Sequence, residues 1–314
     1  TSPLRWWTCA AAPTWTTACN MKKPVVGVTR PLTAEGIGNL WQARQFFTYS
    51  GLGRQANPAI HASLVEPQHV AAADDPASPR STGVQPQAGF ESVTLLLEGD
   101  LEVRTSLPEG QPPVVLGAGD VLWNGVGHGV LTETLAGPQL TQKGGTVSAV
   151  TLWVNLPTAY KLSDPHQQYL PAAQIPSFVL PESAGTLRVI AGQWHNDLGP
   201  AETVGPLQLW DVRVKAGHTV TLPLPHKWYA QLLMLTGRIT IDFWPDEIGS
   251  PQLVLLDAYG DGTTFTVMED THLILLCCEP LDEPIVGRGD LVFGDEPHLQ
   301  DAEARLKDGG FGKL

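Results

Sequence analysis

Short apolar runs separated by glycine-containing turns recur along the chain, and this pattern predicts β-strands rather than helices. Residues 93–97 form an apolar run that ends at a turn around Gly99, and residues 101–105 then alternate apolar and polar side chains. An alternating strand is buried on one face only. The two segments therefore predict an antiparallel hairpin.

The same arrangement returns in the second half of the chain. Residues 231–243 form another hairpin pattern around Gly237, and a glycine-rich turn follows each hairpin, at Gly119 and at Gly260. Gly99 and Gly237 stand roughly 140 positions apart, a period that indicates a duplicated domain rather than a solenoid. We therefore predict an all-β chain of two antiparallel jelly-roll barrels, in which the strand edges are protected.

Proline-rich segments divide the chain. Residues 157–185 are rich in proline and predict a linker, which leaves 21–156 for the first barrel and 186–314 for the second barrel with its tail. Residues 1–20 do not fit the strand pattern and are expected to be an extension, disordered and outside the fold. Residues 296–307 are acidic early and basic late, which predicts a short C-terminal helix.

Composition narrows the class of protein. With 42% hydrophobic and 16% charged residues among 314, the chain is typical of a globular protein. The formal net charge of −13 disfavours direct binding to nucleic acid or to anionic membranes. No apolar run reaches the roughly 18 residues of a membrane span. The four cysteines lack metal-finger spacing, and Cys277 and Cys278 are expected to be buried and reduced, which indicates a cytoplasmic protein.

Residues 85–92 read Gln-Pro-Gln-Ala-Gly-Phe-Glu-Ser and precede a Leu-Glu-Gly turn. They resemble the signature of the pirin family, which reads His-Pro-His-Arg-Gly-Phe-Glu-Thr. Further segments resemble the family in the same order: 119–123, 151–157, 209–213 and 279–286. The resemblance implies two cupin barrels arranged face to face in a monomer.

The resemblance also implies four metal ligands in the first barrel, and this chain departs from the family at all four. Gln85 and Gln87 replace the two signature histidines, and Thr132 and Thr134 stand where a later strand carries a histidine and a glutamate. Alternate residues of a strand share a face, so both threonines should point into the barrel. Neutral amides and hydroxyls are weak ligands, so we expect no metal or other cofactor. Iron or another divalent transition metal is the alternative.

Three further residues are candidates for the same pocket. Glu91 follows Gln87 at the spacing of the third ligand in the wider cupin motif, and a register slip by one residue would turn Glu133 inward. His128 lies in a glycine-flanked loop expected near the barrel mouth. His61 and His69 could also enter the first barrel, although ordinary structural roles are expected for both.

Three functions remain open from the sequence. We favour a metal-free binding or regulatory protein whose first barrel holds a small organic ligand, with a protein partner as a further possibility. The alternative is a quercetin 2,3-dioxygenase-like enzyme, which the resemblance implies where a metal is present. The third possibility is a retained fold in which neither barrel binds a ligand.

Overall fold

The structure, a computed structural model, describes residues 21–51, 57–107 and 112–314. These ranges contain 24 strands and two α-helices. The strands up to residue 170 are β1 (Val25–Thr29), β2 (Glu35–Ile37), β3 (Trp41–Thr48), β4 (Ala59–Val70), β5 (Gln85–Gln87), β6 (Phe90–Glu98), β7 (Asp100–Thr105), β8 (Val114–Gly117), β9 (Val121–Gly125), β10 (Val130–Ala136), β11 (Gly145–Asn155) and β12 (His166–Leu170).

The remaining strands are β13 (Ser177–Val179), β14 (Gly185–Ala191), β15 (Gln193–Trp194), β16 (Asp197–Leu198), β17 (Leu207–Val214), β18 (Thr219–Pro223), β19 (Tyr229–Ile241), β20 (Ile248–Gly249), β21 (Gln252–Leu256), β22 (Gly262–Cys278), β23 (Val286–Arg288) and β24 (Leu291–Phe293). The helices are α1 (Pro138–Lys143) and α2 (Glu296–Lys307). The hairpins predicted around Gly99 and Gly237 are not formed. The chain bends at Gly99 from β6 into β7, which lie in different sheets, and Gly237 falls inside the continuous strand β19, where the register against β22 shifts.

The first barrel is built from two sheets. A seven-stranded sheet runs in the order β12-β9-β6-β11-β4-β3-β2, and a four-stranded sheet runs β5-β10-β7-β8. Strand β6 is buried on both faces, because Val93 and Leu95 pack toward the second barrel while Ser92 and Thr94 face the interior of the first. Further along, Leu96 packs in the core of the first barrel while Leu95 and Leu97 pack toward the second, so residues 95–97 form a continuous apolar run.

The second barrel is a nine-stranded sheet whose main path is β1-β21-β19-β22-β17-β14-β13, with β18 on β22 and β20 on β19. Its interior is packed with apolar side chains. Trp194 and Trp210 meet edge to face, with ring centroids 5.2 Å apart, inside a cluster that includes Leu232 and Phe265. This dense packing leaves the second barrel as a filled core.

One apolar cluster joins the two barrels. Val93 and Leu152 of the first barrel pack with Leu209, Leu233 and Ile274 of the second. The barrels therefore meet sheet against sheet. The predicted fold class, two antiparallel jelly-roll barrels face to face with a short C-terminal helix, is confirmed.

The strand pairing crosses the predicted domain boundaries. Strand β1, assigned from sequence to the first barrel, pairs with β21 of the second. The predicted linker contributes β12 to the first barrel and β13 to the second. The β23–β24 hairpin returns to the first barrel through a bridge between Ala88 and Leu291. The sequence of strands this short does not indicate which strand each of them pairs with. The predicted extension 1–20 lies outside the described residues.

Helix α2 occupies the predicted residues and is capped as expected. The Asp295 carboxylate accepts a hydrogen bond from the backbone N–H of His298 at 2.9 Å, which satisfies one free donor of the first turn. Helix α1 was not predicted, because six residues are too few for a helical period to show. In the described part of the chain, neither helix has the length and apolar character that crossing a membrane requires.

Candidate functional site

The first barrel contains a cavity of about 200 Å³. Its described walls are mostly neutral hydroxyl, amide and apolar groups. They are Ile37, Trp41, Ala43, His61, Ser63, Val65, Thr82, Gln85, Gln87, Ser92, Thr94, Val103, Asn124, Thr132, Thr134, Thr151, Trp153 and Asp290. The four residues at the family's ligand positions thus lie together around one space.

Two paired strands position these four side chains. Thr132 of β10 lies opposite Gln85 of β5, and Val130 lies opposite Gln87. The Thr132 hydroxyl donates a 3.3 Å hydrogen bond to the Gln85 backbone carbonyl, so part of its bonding capacity is used within the wall. Thr134, two residues further along β10, reaches the same cavity. Because side chains alternate along a strand, this register places both threonines inside.

His61 also lines the cavity, in addition to its role in packing. Its ring stacks on Trp153 with centroids 4.4 Å apart, and Phe90 stacks on the same indole at 4.4 Å. Burial lowers the pKa of His61 to about 4, because the imidazolium would lose its hydration. His61 is therefore a neutral imidazole near pH 7. His69 is exposed on β4 and is not among the residues that line the cavity.

Asp290 is the residue that sequence reasoning missed. It lies in the turn between β23 and β24, far along the chain from the signature, and its side chain lines the first-barrel cavity. Burial raises the pKa of Asp290 to about 6, and a hydrogen-bonding interaction with the Gln87 side chain partly offsets that rise. A signal was available, since Gly289-Asp290 between two short apolar runs is typical of a hairpin turn.

A buried lysine connects the signature segment to this hairpin. The Lys161 ammonium, on a residue only 2% exposed, donates hydrogen bonds to the carbonyls of Gly89 at 2.8 Å and Val292 at 3.0 Å, and to Asn155 Oδ1. Burial lowers the pKa of Lys161 to about 7, and the charge of Glu283 acts in the opposite direction. Lys161 therefore holds together the two segments that carry Gln87 and Asp290.

Glu91 does not line the cavity, contrary to the expectation from its spacing. Gly89, with φ of +86°, lies between it and Gln87, and a Cβ there would be 1.9 Å from the Val292 carbonyl oxygen. This glycine interrupts the strand and resets the alternation of faces. Glu91 instead points to the contact between the barrels, near Cys278, and is 1% exposed.

Within the described residues, neither carboxylate oxygen of Glu91 has a partner at hydrogen-bond distance. Burial raises the pKa of Glu91 to about 7, and weaker interactions with the Trp123 indole and the Val204 backbone only partly oppose that rise. Glu91 is thus a buried acid at the interface rather than a group available to a cavity ligand.

Glu133 and His128 also lie outside the cavity lining. Glu133 falls on the other face of β10 and accepts a hydrogen bond from the Ser81 hydroxyl. His128 contacts the C-terminal helix, where its Nδ1 accepts a 3.0 Å hydrogen bond from Arg305. Desolvation and the nearby Arg305 charge lower the pKa of His128. Both side chains serve structural contacts at the rim of the fold.

The cavity walls do not suit the transition metal that the family resemblance implies. No group of three or more histidine, cysteine, aspartate or glutamate side chains comes together at metal-binding geometry in residues 21–51, 57–107 and 112–314. Gln85, Gln87, Thr132 and Thr134 offer only neutral oxygen or amide groups. Imidazole and thiolate are the ligands that favour iron, nickel and zinc. One imidazole, His61, and one carboxylate, Asp290, do not replace that set.

A wider cleft of about 660 Å³ lies at the outer surface where the barrels meet. It contains Arg44 and Arg238, but these are paired with Glu66, Glu247 and Glu269, which also line it. Arg30 also lines the cleft, so among the described residues three arginines balance three glutamates, and exposed pairs of this kind contribute little. The first-barrel cavity is therefore the better candidate site.

Comparison with known proteins agrees with this architecture. Residues 209–312 match the pirin C-terminal cupin domain family. The chain is 35% identical over 292 residues to a Pseudomonas aeruginosa protein whose name assigns it provisionally to the quercetin 2,3-dioxygenases, covering 92% of this chain and 98% of that protein. Rat pirin is 26% identical and matches 69% of this chain and 72% of its own length.

Among solved structures, a quercetin 2,3-dioxygenase from Acinetobacter baumannii superposes with a TM-score of 0.88 at 28% identity, covering 93% of this chain and 99% of that one. Two cupin barrels in one chain define the protein as a bicupin. The matches in both sequence and structure place it more narrowly: this chain belongs to the pirin family.

Proposed function

We propose that this pirin-family protein binds a small polar organic molecule in the first-barrel cavity directly, by hydrogen bonds and without a transition metal. The observation that carries the proposal is the lining itself. All four family ligand positions are occupied by neutral amides and hydroxyls, yet they still surround a cavity of about 200 Å³. Convergent polar groups inside a closed apolar scaffold are typical of small-molecule sites.

The volume also bears on the class of ligand. Pockets for drug-sized ligands occupy roughly 300–1,000 Å³, so a cavity of about 200 Å³ suits a smaller, single-ring or short-chain molecule. Most of the described lining residues lie on β-strands, which hold the walls in place. A preformed polar site of this kind loses little entropy on binding, which favours a specific ligand over a loose one.

A second candidate function rests on the similarity to proteins named as quercetin 2,3-dioxygenases, at 35% and 28% identity. In that reading the cavity would hold a divalent metal and a flavonol. The walls argue against it, since the residues that the structure describes there provide a single neutral imidazole and a single carboxylate. Sharing a fold does not establish a shared reaction, because chemistry depends on the residues of the site.

Metal content separates the two candidates. Tag-free protein is incubated with iron(II), nickel(II) or zinc(II), desalted and analysed for bound metal. We expect less than about a tenth of an equivalent in each case, given the weak donor set. A full equivalent retained by the wild type would contradict the proposal and make quercetin turnover the next assay.

A matched variant serves as the positive control. The quadruple change Gln85→His, Gln87→His, Thr132→His and Thr134→Glu introduces the ligand set of the family on the same backbone. This variant is expected to retain close to one equivalent of nickel or iron. Together, a metal-free wild type and a metal-loaded variant would show that the four side chains decide the chemistry.

A further inference from the structure

We propose that the ligand of this cavity is a small organic cation, a protonated amine, held by the Asp290 carboxylate. This inference rests on the proposed function, since it concerns the same cavity, but it specifies the chemical class of the ligand. It is carried by the charge, the position and the surroundings of one side chain contributed by the C-terminal hairpin.

The hairpin places Asp290 firmly. The Ala88 backbone N–H donates a 3.0 Å hydrogen bond to the Asp290 carbonyl, and the Val292 N–H donates a 3.0 Å hydrogen bond to the Ala88 carbonyl. Ala88 is completely buried and is the neighbour of Gln87 in sequence. The backbone of Asp290 is therefore held beside Gln87 before any ligand arrives, and the Asp290 side chain interacts with the Gln87 side chain.

Asp290 is the only aspartate, glutamate, lysine or arginine among the described residues that line the cavity. The histidine in the same wall, His61, is neutral near pH 7 because burial lowers its pKa to about 4. Nearby Lys161 directs its ammonium to two carbonyls and to Asn155 instead. The cavity therefore carries one negative charge that no lining residue balances.

A partly buried carboxylate without a counter-charge is costly, and a cation entering the cavity would remove that cost. The same charge would repel an anion, such as a carboxylic acid or a phosphate ester, in this confined space. The neighbouring hydroxyl and amide groups can accept or donate further hydrogen bonds around the ligand. A charge-assisted hydrogen bond from an ammonium to Asp290 is the strongest single contact that these walls offer.

Two other sources of cation recognition are weaker here. The Trp153 indole has His61 and Phe90 stacked on it, so its faces are already covered and cation–π binding to them is blocked. A calcium ion takes six to eight oxygen ligands and binds more tightly with several carboxylates, whereas this cavity has one carboxylate. One of its oxygens is also engaged, since Asn124 Oδ1 accepts a hydrogen bond from Gln167.

Matched probes test the ligand class. Single-ring fragments are screened by ligand-observed NMR in sets that share one scaffold and differ only in the polar group: benzylamine, benzyl alcohol and benzoate, with their cyclohexyl counterparts. Binding in the cavity is assigned by its loss in Thr132→Phe, which fills the space. We expect the amines to bind at least about tenfold more tightly than the alcohols, as a hydrogen-bonded charge pair provides, and the acids not to bind.

Asp290→Asn keeps the shape and removes the charge, and it should reduce amine binding to the level of the alcohol. Asp301→Asn on the exposed side of α2 is the matched control and should change nothing. Circular dichroism and thermal melting confirm that each variant is folded.

The possible failures are distinguishable. If amine and alcohol bind equally well, and Asp290→Asn has no effect, the ligand class is wrong while the proposed function stands. If Thr132→Phe abolishes the binding of none of the probes, whatever their charge, the proposed function fails, and the amine inference fails with it. Calcium chloride is tested as a further probe. If calcium binds saturably and more tightly than the amines, and Asp290→Asn abolishes that binding, the ligand is a metal ion and not an amine.

Discussion

The two barrels share a jelly-roll architecture but differ in what fills them. The second barrel is packed with apolar side chains around Trp194 and Trp210, whereas the first retains a polar cavity of about 200 Å³. One barrel is filled as a core, and the other holds a space in which a ligand can bind. Interior side chains that contribute most to stability are therefore expected in the second barrel, and those that contribute to binding in the first.

The largest expected effect tests the filled barrel. Trp210→Ala removes a fully buried indole from the second-barrel core and should cost about 3–5 kcal/mol in the free energy of unfolding, from lost burial and the cavity left behind. Denaturant unfolding measures it. Val179→Ala, at a position 73% exposed, is the control and should stay within about 0.5 kcal/mol. A loss below about 1 kcal/mol for Trp210→Ala would mean that this core is loosely packed.

Lys161→Met tests the connection beneath the first-barrel cavity. Replacing the ammonium leaves two carbonyls and the Asn155 oxygen without a donor, which should cost about 2–4 kcal/mol. The folded pKa of Lys161, about 7, lies below the unfolded value of 10.5, so the unfolded state binds the proton more tightly. The stability that Lys161 contributes should therefore rise with pH across that window.

Urea unfolding of wild type and Lys161→Met at pH 7 and pH 9 checks both parts of this prediction. The difference in unfolding free energy between them should be larger at pH 9. A difference that is unchanged or smaller at pH 9 would contradict the lowered pKa. Lys143→Met, at an exposed position on α1, controls for the general effect of losing a lysine.

Glu91→Gln tests the contact between the barrels. The folded pKa of Glu91 is raised to about 7 from 4.5, so the folded state holds a proton that the unfolded state releases, and wild-type stability should fall as pH rises from about 4.5 to 7. Glutamine removes the titration. The variant should gain roughly 2–3 kcal/mol over wild type at pH 8 and little at pH 4.5.

Thermal or urea unfolding at the two pH values measures the effect of Glu91→Gln. Glu98→Gln, on the same strand but exposed, is the matched control for the loss of a carboxylate. If wild type and Glu91→Gln keep the same stability difference at both pH values, Glu91 is not a buried acid with a raised pKa.

The smallest effect is expected in the cavity wall. Thr134→Val preserves the shape of the side chain and removes one hydroxyl. The hydrogen bonds between Thr134 and Thr82 use the Thr134 backbone, so the substitution leaves them in place. Its unfolding free energy should change by less than about 0.5 kcal/mol. A loss above about 1 kcal/mol, measured by urea unfolding, would mean that the wall is structural rather than open to a ligand.

The sequence predicted the two barrels and helix α2, since strand alternation and helix charge are local signals. It misread Gly99 and Gly237 as hairpin turns, because a bend between sheets and a register shift within a strand use glycine in the same way. It could not place β1, because five residues do not reveal a partner on the other barrel. Glu91 was misplaced because counting from Gln87 assumed an unbroken strand, and Gly89 resets the faces. Asp290 was missed because it comes from a distant hairpin, and proximity across such a separation depends on tertiary packing.

The pairing of β1 with β21 has a consequence for protein synthesis. Val25 pairs with Leu256, so the first described strand must wait until most of the chain has left the ribosome before it finds its partner. At typical elongation rates of roughly 5–20 residues per second, that wait is about 10–45 s. During this interval the nascent chain exposes an unpaired apolar segment, Val25–Thr29, that a ribosome-associated chaperone would be well placed to shield.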